Sequence, residues 1–379
     1  MKIFRYILFL LSLAAVFGCA KDGGRKEFSE YYSNSKTGSF DGSKQRTHQV
    51  LSKPFVIDTI YRSMKGPVDQ QFFYLADSGD IVWLTGYKVE VINAQGVILE
   101  DAFMCHNNLN LDSIRAFPWQ SKNFDYQNRV FTLTQGVTEL SLPDGYAIPI
   151  PGEQGFKTMY QALNHNYPDV DTTVLHKVTI EYFLDSEIDF KLKPLFMQTL
   201  WTVKQYEGPV GNMGEKPEEN PKHLESIDNA NYHPSQQPSC GVDMLANNEA
   251  LQGNDMYYDN YARKYTGHWK IPPGKEEIEM NVDKMLNISK KRKVIMAVAH
   301  VHPFCTEIAL MNEQSNEKVV PLIMKQANTG IGLNEIQVLI PEKEIWLDPT
   351  IHYSLSSTYI NNSEDTLSAM SVMFLYFEE

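Results

Sequence analysis

Apolar and polar positions alternate along much of this chain with a period of two. In Tyr87-Lys88-Val89-Glu90-Val91-Ile92-Asn93 the side chains of Tyr87, Val89 and Val91 share one side. Val174 to Tyr182 repeats the pattern, with Val174, His176, Val178, Ile180 and Tyr182 on one face and Lys177, Thr179 and Glu181 on the other. Successive side chains of a strand point to opposite faces, so both segments predict half-buried antiparallel strands. Val294-Ile295-Met296-Ala297-Val298-Ala299 is apolar throughout and predicts a strand buried on both faces. Phe374-Leu375-Tyr376-Phe377 predicts another at the end of the sequence. Gly and Pro interrupt these runs at short intervals, no stretch carries a long 3.6-residue period, and no internal repeat is visible. The class is mainly β, with two sandwiches expected.

Residues 207–264 break the pattern. They hold ten acids against four bases, with five prolines and eight asparagines. The stretch reads as a polar inter-domain connection with little regular structure. It divides the sequence into a front β-sandwich over 51–206 and a back one over 265–379, both of ordinary domain size.

The first residues carry a different message. Met1-Lys2-Ile3-Phe4-Arg5 is basic, Ile7 to Val16 is almost unbroken apolar, and Phe17-Gly18-Cys19 follows. A basic start, a short apolar core and a small residue before the cut make a secretory signal over 1–18, too short for a comfortable membrane span. The Val-x-Gly-Cys order resembles the lipobox of bacterial lipoproteins, which implies that Cys19 is lipidated and becomes the mature first residue. Residues 19–50, with Gly23, Gly24, Gly38 and Gly42, read as a flexible tether from a membrane to the folded body. The expected location is therefore the bacterial cell envelope, lipid-anchored at the outer membrane and facing either the periplasm or the exterior. Nothing later approaches the ~18 apolar residues that a membrane helix needs.

Composition narrows the function classes. Of 379 residues 42% are hydrophobic and 21% charged, enough apolar content for sizeable cores. The net charge of −13 argues against a nucleic-acid partner, because the surface would repel phosphates. With Cys19 lipidated, Cys105, Cys240 and Cys305 remain, which allows at most one disulfide. No Gly-x-Gly-x-x-Gly, Gly-x-x-x-x-Gly-Lys or Gly-x-Ser-x-Gly motif is present, so neither a nucleotide cradle nor a serine-hydrolase elbow is supported.

The chemistry-bearing candidates are imidazoles. His300-Val301-His302 follows the apolar run directly. Residues two apart on a strand share a face, so both rings can converge on one metal at the strand's end, which Pro303 fixes. Met370 begins the last strand and offers a thioether suited to Cu(I), whereas Met373 falls on the opposite face. Met370 can equally be packing, since methionines commonly fill gaps in cores. In the front half, Phe103-Met104-Cys105-His106-Asn107-Asn108 sets His106 beside a thiol, and Leu163-Asn164-His165-Asn166 adds His165. His176 lies on an apolar face and reads as a core histidine. His48, His223, His233, His268 and His352 fall in tether, connection or turn-like contexts and read as solvated or structural.

Taken in order, these pieces resemble a known family. A front His-containing stretch and a later His precede Ile271-Pro272-Pro273-Gly274, His300-Val301-His302, Tyr359-Ile360-Asn361 and Ser368-Ala369-Met370. The order is similar to that of the copper type II, ascorbate-dependent monooxygenases, which include peptidylglycine α-hydroxylating monooxygenase and dopamine β-monooxygenase. The likeness spans roughly 55–379 and is strongest in the back half. It implies two jelly-roll-like antiparallel β-sandwich domains in tandem, each holding one copper across a solvent-filled cleft. By resemblance His300, His302 and Met370 hold the copper that activates O2. His106 and His165 belong to an electron-storing centre in which Cys105 replaces a histidine of the family. That front centre is then a site with Cys105 as ligand, a two-histidine site, or no copper site at all.

The resemblance also has departures. Where peptide-amidating members place an Arg, an Asn and a Tyr to hold a carboxylate, this chain has Val298, Val372 and Phe374. None of these can bind a carboxylate. Peptide amidation is not expected, and an apolar or aromatic substrate suits these positions better. Three functions remain open. The first is a lipid-anchored copper monooxygenase using O2, a small-molecule reductant and a small-molecule substrate. The second is a copper-holding surface lipoprotein without turnover, with one or two copper ions as the cofactor in either case. The third is an adhesive or structural pair of sandwiches without metal.

Overall fold

The structure, a computed structural model, describes residues 28–32, 35–63, 65–77, 79–112, 117, 119, 129–207, 213, 216 and 256–379. The signal segment, Cys19 and the tether up to residue 27 lie outside the described residues, as do Cys240 and most of the polar connection; the end of the expected tether is not flexible, since Arg46–Leu51 pairs with Thr172–Leu184 as a strand. No helix among the described residues is long and apolar enough to cross a membrane.

The chain is mainly β, as its alternation predicts. One long sheet carries the order Arg46–Leu51, Thr172–Leu184, Ile81–Asn93, Tyr146–Pro151, Lys193–Trp201, Ser371–Glu378, Arg292–Val301, Ile345–Leu347. A four-stranded sheet runs Val68–Phe73, Phe156–Ala162, Met104–Leu111, Arg129–Thr134. A five-stranded sheet runs Gly274–Asn281, Tyr353–Asn361, Cys305–Asn312, Glu317–Gln326, Leu333–Ile336.

Register explains the burial. In the antiparallel pair of Thr172–Leu184 with Ile81–Asn93, Ile180 faces Tyr87, Val178 faces Val89 and His176 faces Val91. Directly opposed residues share a face, so every apolar member of both alternating runs turns inward together. A slip of one residue would expose that whole set, which fixes the register. The rings of Tyr87 and Phe131 stack across to the four-stranded sheet at 5.9 Å.

The Arg292–Val301 strand touches both the Arg129–Thr134 strand and the Glu317–Gln326 strand. It is therefore covered on both sides, and residues 294–301 are buried without alternation. Its neighbours are also informative. The Lys193–Trp201 strand, front by sequence, pairs along Leu195 to Trp201 with the final strand and by only two residues with Tyr146–Pro151. The front and back halves of the sequence thus share one sheet. Of the polar connection, the described part includes Met256–Tyr258, which pairs with Lys264–Thr266.

Candidate metal centre

The end of the Arg292–Val301 strand is built by three nearby features. Its pairing with the final strand sets Val298 opposite Phe374, His300 opposite Val372 and Val301 opposite Ser371. The ladder ends there, and His302 and Met370 are the next residue on each strand. A second ladder ends nearby, where Trp269 pairs with Ala369, the residue before Met370. Pro303 and Phe304 then turn the chain. Phe304 takes a positive φ of 72°, a strained conformation for a bulky residue. Gln326 holds it there, accepting from the Phe304 N–H at 2.6 Å and donating to the Cys305 carbonyl at 2.6 Å. The Tyr359 hydroxyl donates to the Met370 carbonyl at 2.5 Å. The segments that the family likeness singled out by sequence are therefore adjacent in space.

The imidazoles form one cluster. The His300 and His302 rings lie 6.2 Å apart, His268 lies 5.6 Å from His302, and His106 lies 6.2 Å from His300. All four side chains are buried. The resemblance implies front and back centres separated by a solvent-filled cleft; here the front histidine His106 touches the back histidine His300.

His302 has the most telling environment. Its Nδ1 lies 3.2 Å from the Ser368 carbonyl oxygen. A carbonyl only accepts, so Nδ1 carries the proton and Nε2 keeps its lone pair. That Nε2 is fully buried and has no hydrogen-bond partner among the described residues. Leaving such an atom unmatched costs about 1–3 kcal/mol. Burial pushes the His302 pKa down to about 3, and the neighbouring His268 adds to the effect. Burial, then His106 and His302, hold His300 well below the ordinary imidazole range. Both rings are neutral at pH 7, the state in which imidazole binds metals.

The front residues are arranged less tightly. Cys105 is the extra residue of a β-bulge: Met104 pairs with Ala162 and His106 with Gln161, so Cys105 has no opposite number. Bulges re-aim side chains, and this one displaces the thiol from the regular ladder. Cys105 is buried and forms no disulfide. His165 is half-buried, with Nε2 3.3 Å from the Ser63 hydroxyl. Burial lowers its pKa, and nearby Cys105 acts in the opposite direction. His176 is the core histidine that its apolar face predicts, packed at 5.4 Å on Phe55 and 6.1 Å on Tyr160. Burial lowers it to about 4, while a backbone group of Phe103 pulls the other way.

Among the described residues no three His, Cys, Asp or Glu side chains gather tightly enough to enclose one metal ion. Cys105, His106 and His165 therefore do not form a closed trio. The two imidazoles and one thioether of the back site are a different donor set. Cys305 is also buried, and burial raises its thiol to about 12. The residue that sequence reasoning missed is His268. It lies in a short turn with no periodic signal, and only the pairing of Trp269 with Ala369 brings it to the cluster.

On its own strand pair His300 has apolar neighbours, while the other imidazoles and the buried Arg129 approach it from elsewhere. Val298, Val372 and Phe374 lie on its face of the strand pair and are buried. A carboxylate has no partner among them.

No protein-family model matches the chain, and no curated protein matches it. Solved structures with some likeness include the STIV MCP, with a TM-score of 0.29 and 6% identity over 88% of this chain and 95% of the other. Another is peptide-N(4)-(N-acetyl-β-D-glucosaminyl) asparagine amidase, with a TM-score of 0.31 and 9% identity over 87% of this chain and 96% of the other. At such values the likenesses bear on neither fold nor function.

Proposed function

We propose that this chain is a copper-dependent monooxygenase that hydroxylates a C–H bond of a small organic substrate, using O2 and an ascorbate-like reductant. The observation that carries the reading is the buried, unmatched Nε2 of His302, with its tautomer set by the Ser368 carbonyl. A carbonyl behind the distal nitrogen is the usual outer support of a metal-bound histidine. His300 shares the face by its spacing, and Met370 directly follows the end of the final strand's pairing with the Arg292–Val301 strand. Two imidazoles and a thioether suit copper in both oxidation states and favour Cu(I). Copper bound there would supply O2 activation. The chain's own contribution is to hold neutral imidazoles in place and to exclude water with Val298, Val372 and Phe374. Lipid anchoring through Cys19 at the cell envelope belongs to the same proposal and rests on the sequence.

A second reading is copper binding without turnover. It is favoured by the open arrangement of Cys105, His106 and His165, which leaves the relay centre without a closed donor set. Copper stoichiometry by elemental analysis, followed by O2 uptake with ascorbate, separates the two. Two coppers, with O2 uptake matched by a hydroxylated product, are expected for the enzyme. One copper without uptake supports the carrier. A protein that stays metal-free after loading with copper overturns both.

Met370 gives a sharper check. Met370→Leu keeps the volume and removes only the sulfur, so stability should change by less than about 1.5 kcal/mol. Cu(I) affinity is expected to fall about tenfold, or about 1.4 kcal/mol, with Cu(II) affinity little changed. Met373, opposite Ala299 on the other face, is the control, and Met373→Leu should change neither. Unchanged Cu(I) affinity in Met370→Leu would make the thioether a packing group only.

A further inference from the structure

A pocket of about 380 Å³ opens beside the histidine cluster. Its volume is that of a small-molecule site. His165 forms part of its wall, and so does Ser368, the residue whose carbonyl holds the His302 ring. The strand ends that build the cluster therefore also build the pocket.

The charge of this pocket is opposite to that of the chain. Asp+Glu outnumber Lys+Arg by 47 to 34 overall. Facing the pocket, Arg62, Lys65 and Lys270 stand against the single carboxylate of Asp365. None of the three cations has an ion-pair partner among the described residues. A concave site lined by one sign of charge concentrates ligands of the other sign. Trp269, Leu367 and Ile331 give part of the remaining wall an apolar face, beside the polar Ser63 and Thr366. Trp269 is nearly fully buried, and its indole N–H has no acceptor among the described residues. That is a spare donor beside an apolar surface.

We propose that the pocket takes a small molecule with a carboxylate or comparable monoanion on an apolar, aromatic-sized body. The anion meets Arg62, Lys65 and Lys270, and the body lies against Trp269 and Leu367. The anion would then be held by the pocket's rim cations, since Val298, Val372 and Phe374 offer it nothing. That this ligand is the substrate rests on the copper reading; that it binds does not.

The test therefore uses the whole chain freed of metal by chelation, with calorimetry as the readout. Naphthalene-2-carboxylate is the probe, compared with naphthalene-2-carboxamide and naphthalen-2-ylmethylammonium. The carboxylate is expected to bind at least about tenfold tighter than the amide or the ammonium, and raising salt should weaken only the carboxylate. The variant combining Arg62→Gln, Lys65→Gln and Lys270→Gln should bind carboxylate and amide alike. Arg62 and Lys65 are exposed and Lys270 half-buried, so the fold should survive. Equal binding of all three probes, no binding of the carboxylate, or a preference that persists in the triple variant would overturn the proposal. Failure to load copper would leave this result untouched, which separates the two ideas.

Discussion

Replacing His302 by alanine is expected to weaken Cu(I) binding by at least about 100-fold. Loss of an outer-shell partner alone typically costs a metal site about 10–100-fold, and here the donor atom itself would go. Competition with bicinchoninate under anaerobic conditions measures the change. The metal-free protein should tolerate the substitution, because two effects oppose each other. Alanine leaves a small cavity, yet it also removes the unmatched Nε2 and its cost of about 1–3 kcal/mol. His352→Ala is the control. His352 is exposed and paired with Asp283 at 2.6 Å, far from the cluster, and its loss should leave Cu(I) affinity as it was. Parent-like Cu(I) affinity in His302→Ala would remove the basis for any copper reading of the back site.

Much of the fold was legible because its strands are amphipathic. The period-two run from Val174 to Tyr182 states its own buried face, and the partner run from Tyr87 states the complementary one. The uniform apolar run 294–299 announces cover on both sides, and the structure supplies it. What the runs do not state is which strand lies beside which. Lys193–Trp201 is apolar enough to join any sheet; its pairing with the final strand is a long-range choice that no local pattern records. The same limit applied at the site. His300 and His302 were visible because two residues on one strand share a face by geometry alone. Met370 was visible as a soft ligand at the head of the last strand, but spacing alone could not separate it from a methionine that only packs; the family resemblance favoured ligation. His268 was set aside as structural, because a histidine in a turn has no face until Trp269 finds Ala369.

The front residues show the opposite lesson. Cys105 and His106 are adjacent in sequence, which suggests shared work. The bulge at Cys105 breaks the alternation there and shifts the thiol out of the regular ladder. His106 instead meets His300 from the other half of the chain. The cluster is thus assembled by the contact between sheets more than by either stretch alone.

Buried neutral imidazoles, in the cluster and in the core at His176, should make the metal-free protein acid-labile. His302 is held down to about 3 and His176 to about 4, each chiefly by burial. Both titrate near 6.5 once unfolded, so below that pH the unfolded chain binds protons that the folded chain refuses. Stability is therefore full above about pH 6.5 and falls as acid is added, down toward each folded value. At pH 5 each of the two should have lost about 2 kcal/mol, together about 4 kcal/mol, and His300 acts in the same sense. Two groups oppose the trend. Burial raises Asp101, which favours folding in acid, and Asp283 raises the exposed His352. The first is partly open to solvent and the second fully exposed, so neither should reverse the slope. Total stabilities are about 5–15 kcal/mol, so a loss of about 4 kcal/mol is large. Urea titrations of the metal-free chain at pH 8, 7, 6 and 5, followed by circular dichroism, should give midpoints that hold from 8 to 7 and then drop steeply. His176→Phe, which keeps a ring against Phe55 and Tyr160 but cannot take a proton, should flatten part of that drop. A midpoint that stays level from pH 8 to pH 5 would mean that these imidazoles reach water or a carboxylate, and that the dry cluster described above does not exist in solution.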